Sequence, residues 1–473
     1  MPAILFHSTN GRSPAVNLRA AILAGLAPDR GLYLPDAFPR LLPDEIATFA
    51  KLPYAEIAFC VLAKYTEEIL PDADLAAICR DAYNFDVPLE KVLDRVHVMR
   101  LDQGPTASFK DFAARMMARL FGRFVHEDGN QAVILTATSG DTGAAVAHAF
   151  HGVPGIRVIV LFPVEEVSVS QRKLMTTLTG NVRTVAIAGK FDDCQAMVKR
   201  AFADPALKHI PLSSANSINI GRLLPQSVYY FYAASRLATA GERMVFSVPS
   251  GNFGDMMGAI VAREMGLPVR IIIASVNDND AFPKFLASGI YQKISPSRNS
   301  LSNAMNVGHA SNLARLVAIY GGQMDETGNI SRPPDLAAMR RDLFSTSVSD
   351  ERTRTTIREV WDKYQLLLEP HGAVAWRGFQ DWLEAEPVGR ASSRAGTSKT
   401  EDDSSGDSPH QNFPAVILET ANPAKFPEEI QKMMSWEPDV PANMQAALKL
   451  PEDFDRMEVD YEKFKEYLKT RHA

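Results

Sequence analysis

The sequence predicts an α/β protein in which parallel sheets are flanked by helices and are preceded by a largely helical N-terminal region. Short apolar runs alternate with helical segments from Val96 onward, which is typical of parallel strands joined by crossover helices. Before Val96, apolar residues recur at helical spacing, most clearly over residues 47–70. The 473 residues are enough for two or three domains.

The individual elements follow from these patterns in chain order. Strands are predicted over 131–136, 156–162, 182–187, 243–248 and 269–274, and in the run PAVILE after Phe413. Helices are predicted over 112–121, 141–150, 170–179, 192–202 and 254–265. The Pro-bearing stretch 31–35 is predicted as a turn between elements.

We expect the chain to divide into three parts. Residues 1–95 form the mostly helical N-terminal domain, and residues 96–387 with 413–473 form a two-part α/β catalytic region. Residues 388–412 contain almost no apolar side chains and many Ser, Gly and Asp. Such a segment cannot bury enough surface to offset its chain entropy, so we predict a disordered insert there.

Composition excludes several classes of protein. The net charge of -6 argues against a nucleic-acid-binding protein, which would usually carry a basic field. The 3 cysteines include no Cys-x-x-Cys pair, so neither a disulfide framework nor a zinc site is indicated. No apolar stretch reaches the roughly 18–20 residues of a membrane helix, and the N-terminus lacks signal-peptide character. We therefore expect a cytoplasmic protein with no membrane partner.

The first of three informative junctions is QGPTASFKD at 103–111, which opens a helix. A lysine at a helix start is electrostatically unfavourable, because the helix N-terminus is already positive. Lys110 is therefore a candidate for a partly deprotonated, Schiff-base-forming amine. The alternative from the residues alone is an exposed lysine beside Asp111.

The other two junctions are TATSGDTG at 136–143 and PSGNFGD at 249–255, each between a strand and a helix. Glycines allow the main chain to approach a phosphate closely, and a helix N-terminus favours negative charge. The alternative is a tight turn with an ordinary N-cap. Two such loops and a lysine at a helix start in one sheet favour a site for anionic ligands.

Other site motifs are absent from the sequence. There is no G-x-G-x-x-G, no G-x-x-x-x-G-K-[ST] and no G-x-S-x-G, so dinucleotide, P-loop and serine-hydrolase sites lose their main support. There is no H-E-x-x-H, and we expect no bound metal.

The motifs taken together resemble those of the threonine synthase family. The resemblance runs in order over about residues 8–426. It is carried by SFKDF (108–112), ATSGDTGAA (137–145), NSIN (216–219) with Arg222, PSGNFGD (249–255), LSNAM (301–305) and TANPAKF (420–426).

This resemblance implies a fold type II pyridoxal-phosphate enzyme. Such an enzyme converts O-phospho-L-homoserine and water to L-threonine and phosphate, the last step of threonine biosynthesis. Lys110 would carry pyridoxal 5'-phosphate as a Schiff base and then transfer protons. Thr420 would offer a hydroxyl to the pyridine nitrogen, and a hydroxyl is expected to leave that ring unprotonated and a milder electron sink.

The resemblance also implies three groups of contacts. The cofactor phosphate would be held by Gly251, Asn252, Phe253, Gly254 and Asp255. The substrate carboxylate and the cofactor edge would be contacted by Ser139, Gly140, Asp141 and Thr142. The substrate phosphate would be faced by Ser217, Asn219 and Arg222.

Two other functions stay open on the sequence. One is a related fold type II dehydratase, which needs no second phosphate site. The other is a catalytically idle protein that binds pyridoxal phosphate and a phosphorylated ligand. For Arg222, a salt bridge to a nearby carboxylate is the alternative to a phosphate contact. The expected partner is a small-molecule substrate, and the chain is expected to be a monomer or a homodimer.

Overall fold

The structure is a computed structural model that describes residues 4–386 and 413–470. The predicted insert 388–412 lies outside the described residues. The strands are β1 (Phe6–Ser8), β2 (Tyr33–Pro35), β3 (Leu89–Leu93), β4 (Val96–Arg100), β5 (Ala132–Ala137), β6 (Ile156–Pro163), β7 (Val182–Ala188), β8 (Leu212–Ser213), β9 (Met244–Pro249), β10 (Val269–Val276), β11 (Gln323–Met324), β12 (Ile330–Arg332), β13 (Leu343–Ser347), β14 (Ala415–Glu419) and β15 (Asp455–Glu458).

The helices surround these strands. They are α1 (Leu18–Ala24), α2 (Pro43–Thr48), α3 (Tyr54–Thr66), α4 (Asp72–Ala82), α5 (Lys110–Glu127), α6 (Asp141–Phe150), α7 (Val169–Thr176), α8 (Phe191–Ala203), α9 (Ile220–Leu223), α10 (Val228–Leu237), α11 (Gly254–Glu264), α12 (Ala281–Ser288), α13 (Leu313–Ile319), α14 (Leu336–Asp342), α15 (Asp350–Tyr364), α16 (Pro370–Ala385), α17 (Pro427–Met434), α18 (Ala442–Lys449) and α19 (Tyr461–Thr470). Short 3-10 helices cover Phe49–Lys51, Pro205–Leu207, Leu224–Ser227, Asn303–Met305 and Pro423–Lys425.

Two larger sheets form the α/β part of the structure. One has six strands in the order β13-β10-β9-β14-β4-β3, parallel except for the antiparallel β3–β4 hairpin at its edge. The other has five parallel strands in the order β15-β7-β6-β5-β8. The central strands β5, β9 and β14 are buried along their whole length, because helices cover both faces of a parallel sheet. The predicted fold class is confirmed.

The N-terminal region contains helices α1 to α4 and one small antiparallel pair, whereas β3, although it lies within residues 1–95, belongs to the six-stranded sheet. Strand β2 lies in the stretch predicted as a turn, and it pairs with β1 through Phe6–Pro35, His7–Leu34 and Ser8–Tyr33. The turn prediction was therefore wrong for these residues. The reason is that a three-residue strand is too short to show a periodic pattern.

Aromatic packing connects the N-terminal region to helix α5. The ring of Phe112 is fully buried and lies 5.4 Å from that of Tyr54, 5.0 Å from that of Phe85 and 5.5 Å from that of Tyr229, measured between centroids. Burial of such a side chain contributes roughly 1.5–3 kcal/mol. This cluster fixes the first turn of α5, and Lys110 is the first residue of that turn.

Within the described ranges, no helix combines the length and the apolar character needed to cross a membrane.

Candidate active site

One cavity is bordered by the loop after β5, in the five-stranded sheet, and by the loops after β9 and β14, in the six-stranded sheet. The expectation that these junctions lie in one sheet was therefore wrong, because strand and helix patterns do not show which strands pair. The volume of the cavity is about 820 Å³, part of which is open to solvent. Ligand sites of α/β proteins lie at the carboxyl ends of parallel strands, and this cavity has that location. The predicted site residues that line it are Lys110, Ser139, Asp141, Thr142, Ser217, Arg222, Gly251, Asn252, Phe253, Gly254, Asp255 and Thr420.

Lys110 lines the cavity, and its neighbour Asp111 has other partners. The Asp111 carboxylate accepts hydrogen bonds from Thr106 N and Thr106 Oγ1, both at 2.8 Å. The Lys110 amine lies 3.8 Å from Asp141 Oδ2 and 4.4 Å from the centroid of the Phe109 ring. Burial lowers the pKa of Lys110, although the charge of Asp141 opposes this shift. The alternative of an exposed lysine beside Asp111 is not what the structure shows.

Main-chain hydrogen bonds tie the Lys110 loop to the segment after β14. Phe109 N donates to Thr420 O at 2.9 Å, and Asn422 N donates to Ala107 O at 3.1 Å. An antiparallel bridge between Ser108 and Ala421 lies between these two bonds. This short ladder holds Thr420 beside the segment 107–109, which leads directly into Lys110 at the start of α5.

The segment 250–255, which we call the glycine loop, is shaped by close main-chain contacts. A Cβ at Gly251 would meet Met305 Cα at 2.9 Å and Ala304 O at 3.0 Å, both main-chain atoms that cannot easily move. Phe253 adopts a left-handed conformation with φ of 63° directly before helix α11. The first turn of that helix has main-chain N–H groups without intrahelical acceptors, so the glycine loop offers donors to an anion.

Asp255 lies at the start of α11 with its carboxylate turned towards two tyrosines. Asp255 Oδ1 accepts from the hydroxyl of Tyr229 at 2.5 Å and from that of Tyr230 at 2.7 Å. Asp255 Oδ2 is buried and has no hydrogen-bond partner among the described residues. Burial raises the pKa of Asp255 to about 6 against the effect of both hydroxyls.

The loop after β5 is capped by a residue that the sequence did not single out. Thr138 Oγ1 accepts from Gly140 N at 2.9 Å and from Gly143 N at 2.7 Å, which fixes the start of α6. Gly140 does not line the cavity. It has φ of 129°, and a Cβ there would meet the Gln171 side chain at 2.8 Å. The structure thus gives Gly140 a conformational role in place of a substrate contact.

A buried ion pair supports the same loop. Lys425 Nζ lies 2.9 Å from Asp141 Oδ1, and neither side chain is more than 2% exposed. Gln171 Nε2 also donates to Asp141 Oδ1, at 3.0 Å. Burial opposes ionisation of Asp141, but the charges of Lys425 and Lys110 prevail and hold its pKa below the usual value. Sequence reasoning missed Lys425 because its partner is 284 residues away, although Lys425 lies in the motif TANPAKF.

Arg222 lies in the cavity wall without a carboxylate partner. Its Nη1 donates to Ala215 O, and its buried Nε has no hydrogen-bond partner within the described ranges. None of the ion pairs found in those ranges involves Arg222, so the predicted alternative of a salt bridge finds no support there. Burial lowers the pKa of Arg222 to about 10. We refer to Asp141, Lys425 behind it and Arg222 as the charged wall.

Ser217 and Asn219 have different surroundings. Ser217 lines the cavity, and its hydroxyl accepts from Asn312 Nδ2 at 3.1 Å. Asn219 is fully buried outside the lining, where it caps α9 by accepting from Gly221 N at 2.9 Å. Its amide also donates to Ile22 O and to Ser214 O, both at 2.9 Å. These contacts use the whole side chain, so Asn219 is structural and is not in position to contact a substrate phosphate.

One further group at the cavity, His371, had no local signal in the sequence. His371 lines the cavity, and its Nδ1 lies 2.6 Å from Glu369 Oε2. Ala304 N donates to His371 Nε2 at 3.2 Å. A single histidine in a mostly apolar helix is not distinguishable from a core residue by pattern alone.

Comparison with known proteins gives a consistent result across the chain. Three family models match: "Threonine synthase N terminus" over residues 5–83, "Pyridoxal-phosphate dependent enzyme" over 87–393 and "Threonine synthase, C-terminal" over 397–468. The chain is 38% identical to the threonine synthase of Haemophilus influenzae over 455 residues, which is 96% of each chain.

Solved structures agree with the sequence matches. The crystal structure of threonine synthase from Escherichia coli superposes with a TM-score of 0.85 at 34% identity, covering 99% of this chain and 100% of that one. The threonine synthase from Brucella melitensis, solved with bound PLP, superposes with a TM-score of 0.87 at 32% identity, covering 100% of both chains. The chain belongs to the threonine synthase family of pyridoxal-phosphate-dependent enzymes.

Proposed function

We infer that this chain is a threonine synthase, which converts O-phospho-L-homoserine and water to L-threonine and phosphate with pyridoxal phosphate as its cofactor. The observation that carries this inference is the location of the Lys110 amine. It opens into one cavity that is bordered by the glycine loop and by the guanidinium of Arg222. Among the described residues, Nε of this guanidinium has no hydrogen-bond partner. A reaction on a phosphorylated substrate with a phosphorylated cofactor requires two anion sites, which the glycine loop and Arg222 would supply.

The residues present fit the cofactor. The glycine loop leaves no space for a Cβ at Gly251, so main-chain N–H groups there can approach a phosphate closely. Lys110 would bind the aldehyde carbon, and Thr420 would meet the ring nitrogen. When bound, the cofactor supplies an electron sink that stabilises negative charge on the substrate carbons.

Lys110 is the residue that we propose to move protons. Its lowered pKa leaves more of the amine in the neutral form, which is the form that accepts a proton. Asp141, at 3.8 Å, would stabilise the ammonium once the proton has been taken. The same amine can then return the proton to a neighbouring carbon, because its side chain ends inside the cavity.

The substrate would be held at its two anionic ends. Ser139 and Thr142 flank the start of α6, where a carboxylate is favoured by the helix N-terminus. Ser217 and Arg222 would bind the phosphate, and the unpartnered Nε of Arg222 provides a donor for it.

We also propose how the chain divides, where it acts and what it binds. The N-terminal domain 1–95 and the catalytic region 96–387 with 413–473 are our proposed division of the chain. Action in the cytoplasm fits three cysteines that are all free, since disulfides are rare in reducing compartments. We propose a small-molecule substrate only, and a monomer or homodimer.

The deciding experiment supplies the purified, cofactor-loaded chain with O-phospho-L-homoserine and measures both threonine and phosphate. We expect the two products in equal amounts, and the Lys110→Ala variant serves as the control that should form neither. Deamination of L-threonine or L-serine without threonine formation would favour the dehydratase. Cofactor absorbance without turnover of any of these compounds would favour the catalytically idle protein.

A further inference from the structure

The hydroxyl of Thr420 is directed by a buried carboxylate. Thr420 Oγ1 donates to Glu369 Oε1 at 3.3 Å, and this is its one hydrogen bond to the described part of the chain. Glu369 is fully buried, and Thr420 is 4% exposed at the cavity wall. A hydroxyl has a single hydrogen, so a Thr420 that donates to Glu369 has only lone pairs for any other neighbour.

Every other contact of the Glu369 carboxylate comes from an N–H donor or from the His371 ring. Oε2 accepts from His371 N at 2.8 Å and lies 2.6 Å from His371 Nδ1, while Oε1 accepts from Gly372 N at 3.0 Å. Glu369 is also the N-cap of α16, where the helix N-terminus favours a negative charge. Hydrogens from these donors point at both oxygens, so Oε1 and Oε2 both act as hydrogen-bond acceptors.

The neighbouring carboxyl of Glu419 keeps its proton, because two adjacent buried carboxylates would repel each other. Glu419 is fully buried, its Oε1 accepts from Glu369 N at 2.7 Å, and its Oε2 has no partner among the described residues. Burial, and then the charge of Glu369, raise the pKa of Glu419 well above its usual value. Glu419 does not line the cavity, which agrees with the alternation of side chains along a strand.

We propose that Glu369 is a positioning residue that turns the Thr420 hydrogen away from the cofactor ring nitrogen, so that Thr420 presents an acceptor and stabilises the protonated ring. The proton comes from solvent when the cofactor enters. This inference rests on the proposed function, in which Thr420 faces that nitrogen. It reverses the expectation from sequence, where a hydroxyl alone leaves the ring unprotonated, because the sequence does not show the carboxylate behind the hydroxyl.

The test uses pyridoxal phosphate labelled with ¹⁵N in the ring, bound to the full chain, and records its nitrogen NMR shift. Protonation of a pyridine moves this signal far upfield. The wild-type chain should give a signal in the pyridinium range. In Glu369→Gln the amide can donate to Thr420 Oγ1, which frees the hydroxyl hydrogen for the ring, and the signal should move to the pyridine range. Glu419→Gln changes an equally buried side chain whose hydrogen bond goes to Glu369 N and not to the Thr420 hydroxyl. The nitrogen signal of this variant should match that of the wild type.

A second variant covers the case in which Glu369→Gln does not fold. Glu369→Asp keeps a charged N-cap on α16 but withdraws the carboxylate from Thr420, so its signal should also move towards the pyridine range. A wild-type signal in the pyridine range, or unchanged signals in both Glu369 variants, would overturn the inference.

Two outcomes separate this inference from the proposed function. Thr420→Val should move the signal to the pyridine range, because it removes the acceptor. An unchanged signal in that variant would mean that Thr420 does not meet the ring nitrogen, which overturns the inference but leaves threonine formation intact. The absence of any bound-cofactor signal in the wild type would overturn both.

Discussion

The glycine loop and the charged wall border the same cavity but hold their shape by different means. The glycine loop depends on main-chain geometry: the missing Cβ of Gly251 against Met305 and the positive φ of Phe253 before α11. The charged wall depends on side chains that are far apart in sequence, such as Asp141 and Lys425. The proposed cofactor-phosphate site therefore depends on main-chain conformation, whereas the proposed substrate-phosphate site depends on the balance of side-chain charges.

Lys110 lies between the two regions, and its loss should have the largest effect. We expect Lys110→Ala to lower threonine formation by at least ~1,000-fold, since proton transfer by a positioned group alone contributes about 10²–10⁴-fold. The fold should persist, because the side chain borders a cavity and leaves no void in the core. Turnover and melting temperature check this, with the exposed Lys432→Ala as a control. Near-normal threonine formation would refute the role of Lys110.

The buried ion pair of the charged wall should be the most costly contact to break for stability. Asp141→Asn and Lys425→Met should each lower the free energy of unfolding by about 4 kcal/mol, because each leaves an unpaired buried charge. The double variant should lose clearly less than the sum of the two. Urea denaturation measures this, and Lys284→Met, which breaks the exposed pair with Asp280, should cost below about 1 kcal/mol. Additive losses would show that the pair is not coupled.

The glycine loop contains one charge that should destabilise the cofactor-free chain at neutral pH. The folded-state pKa of Asp255 is raised from 3.8 to about 6, so its favourable contribution is full below 3.8 and is lost as the pH rises through about 6. A shift of two pKa units corresponds to at most about 3 kcal/mol. Asp255→Asn should therefore be more stable than wild type above pH 7, and the gain should shrink towards pH 4. Melting curves across this range test it, and a gain independent of pH would contradict the assignment.

Within the segment 214–222, variants of two residues should distinguish an effect on substrate binding from an effect on stability. Arg222→Gln should raise the Michaelis constant for O-phospho-L-homoserine about tenfold to a hundredfold, since each hydrogen bond to a charged group contributes about 1.5–3 kcal/mol. The cofactor absorbance should stay normal. Asn219→Ala should instead lower stability by about 1 kcal/mol through the lost helix cap and leave the Michaelis constant near its wild-type value. The reverse pattern would move the phosphate site from Arg222 to Asn219.

The smallest effect is expected from a segment that belongs to neither region. We predict that residues 390–411 can be replaced by a short Gly/Ser linker with little change in turnover or melting temperature. The composition offers no apolar anchor, and loop-closure entropy changes slowly with length. A large loss in either measurement would show that the segment packs on the protein or regulates it.

The sequence predicted the parts of the site that depend on local pattern. The glycine loop, the start of α6 and Lys110 at the start of α5 all follow from strand-to-helix junctions, and strands such as β5 and β6 lie within one residue of their predicted bounds. It did not predict contacts between distant segments. Lys425, Glu369 and His371 reach the site through the folded topology, and the buried amide of Asn219 looks no different in sequence from a ligand-binding one.

The short ladder between the Lys110 loop and the segment after β14 has a consequence for what the cavity can accept. Main-chain hydrogen bonds join Phe109 to Thr420 and Asn422 to Ala107. The spacing between the side chains of Lys110 and Thr420 is therefore set by peptide geometry. A ligand that must meet both is thereby selected by its length. Main-chain bonds do not depend on side-chain identity. Substitutions of the flanking side chains should therefore leave this selection by length unchanged.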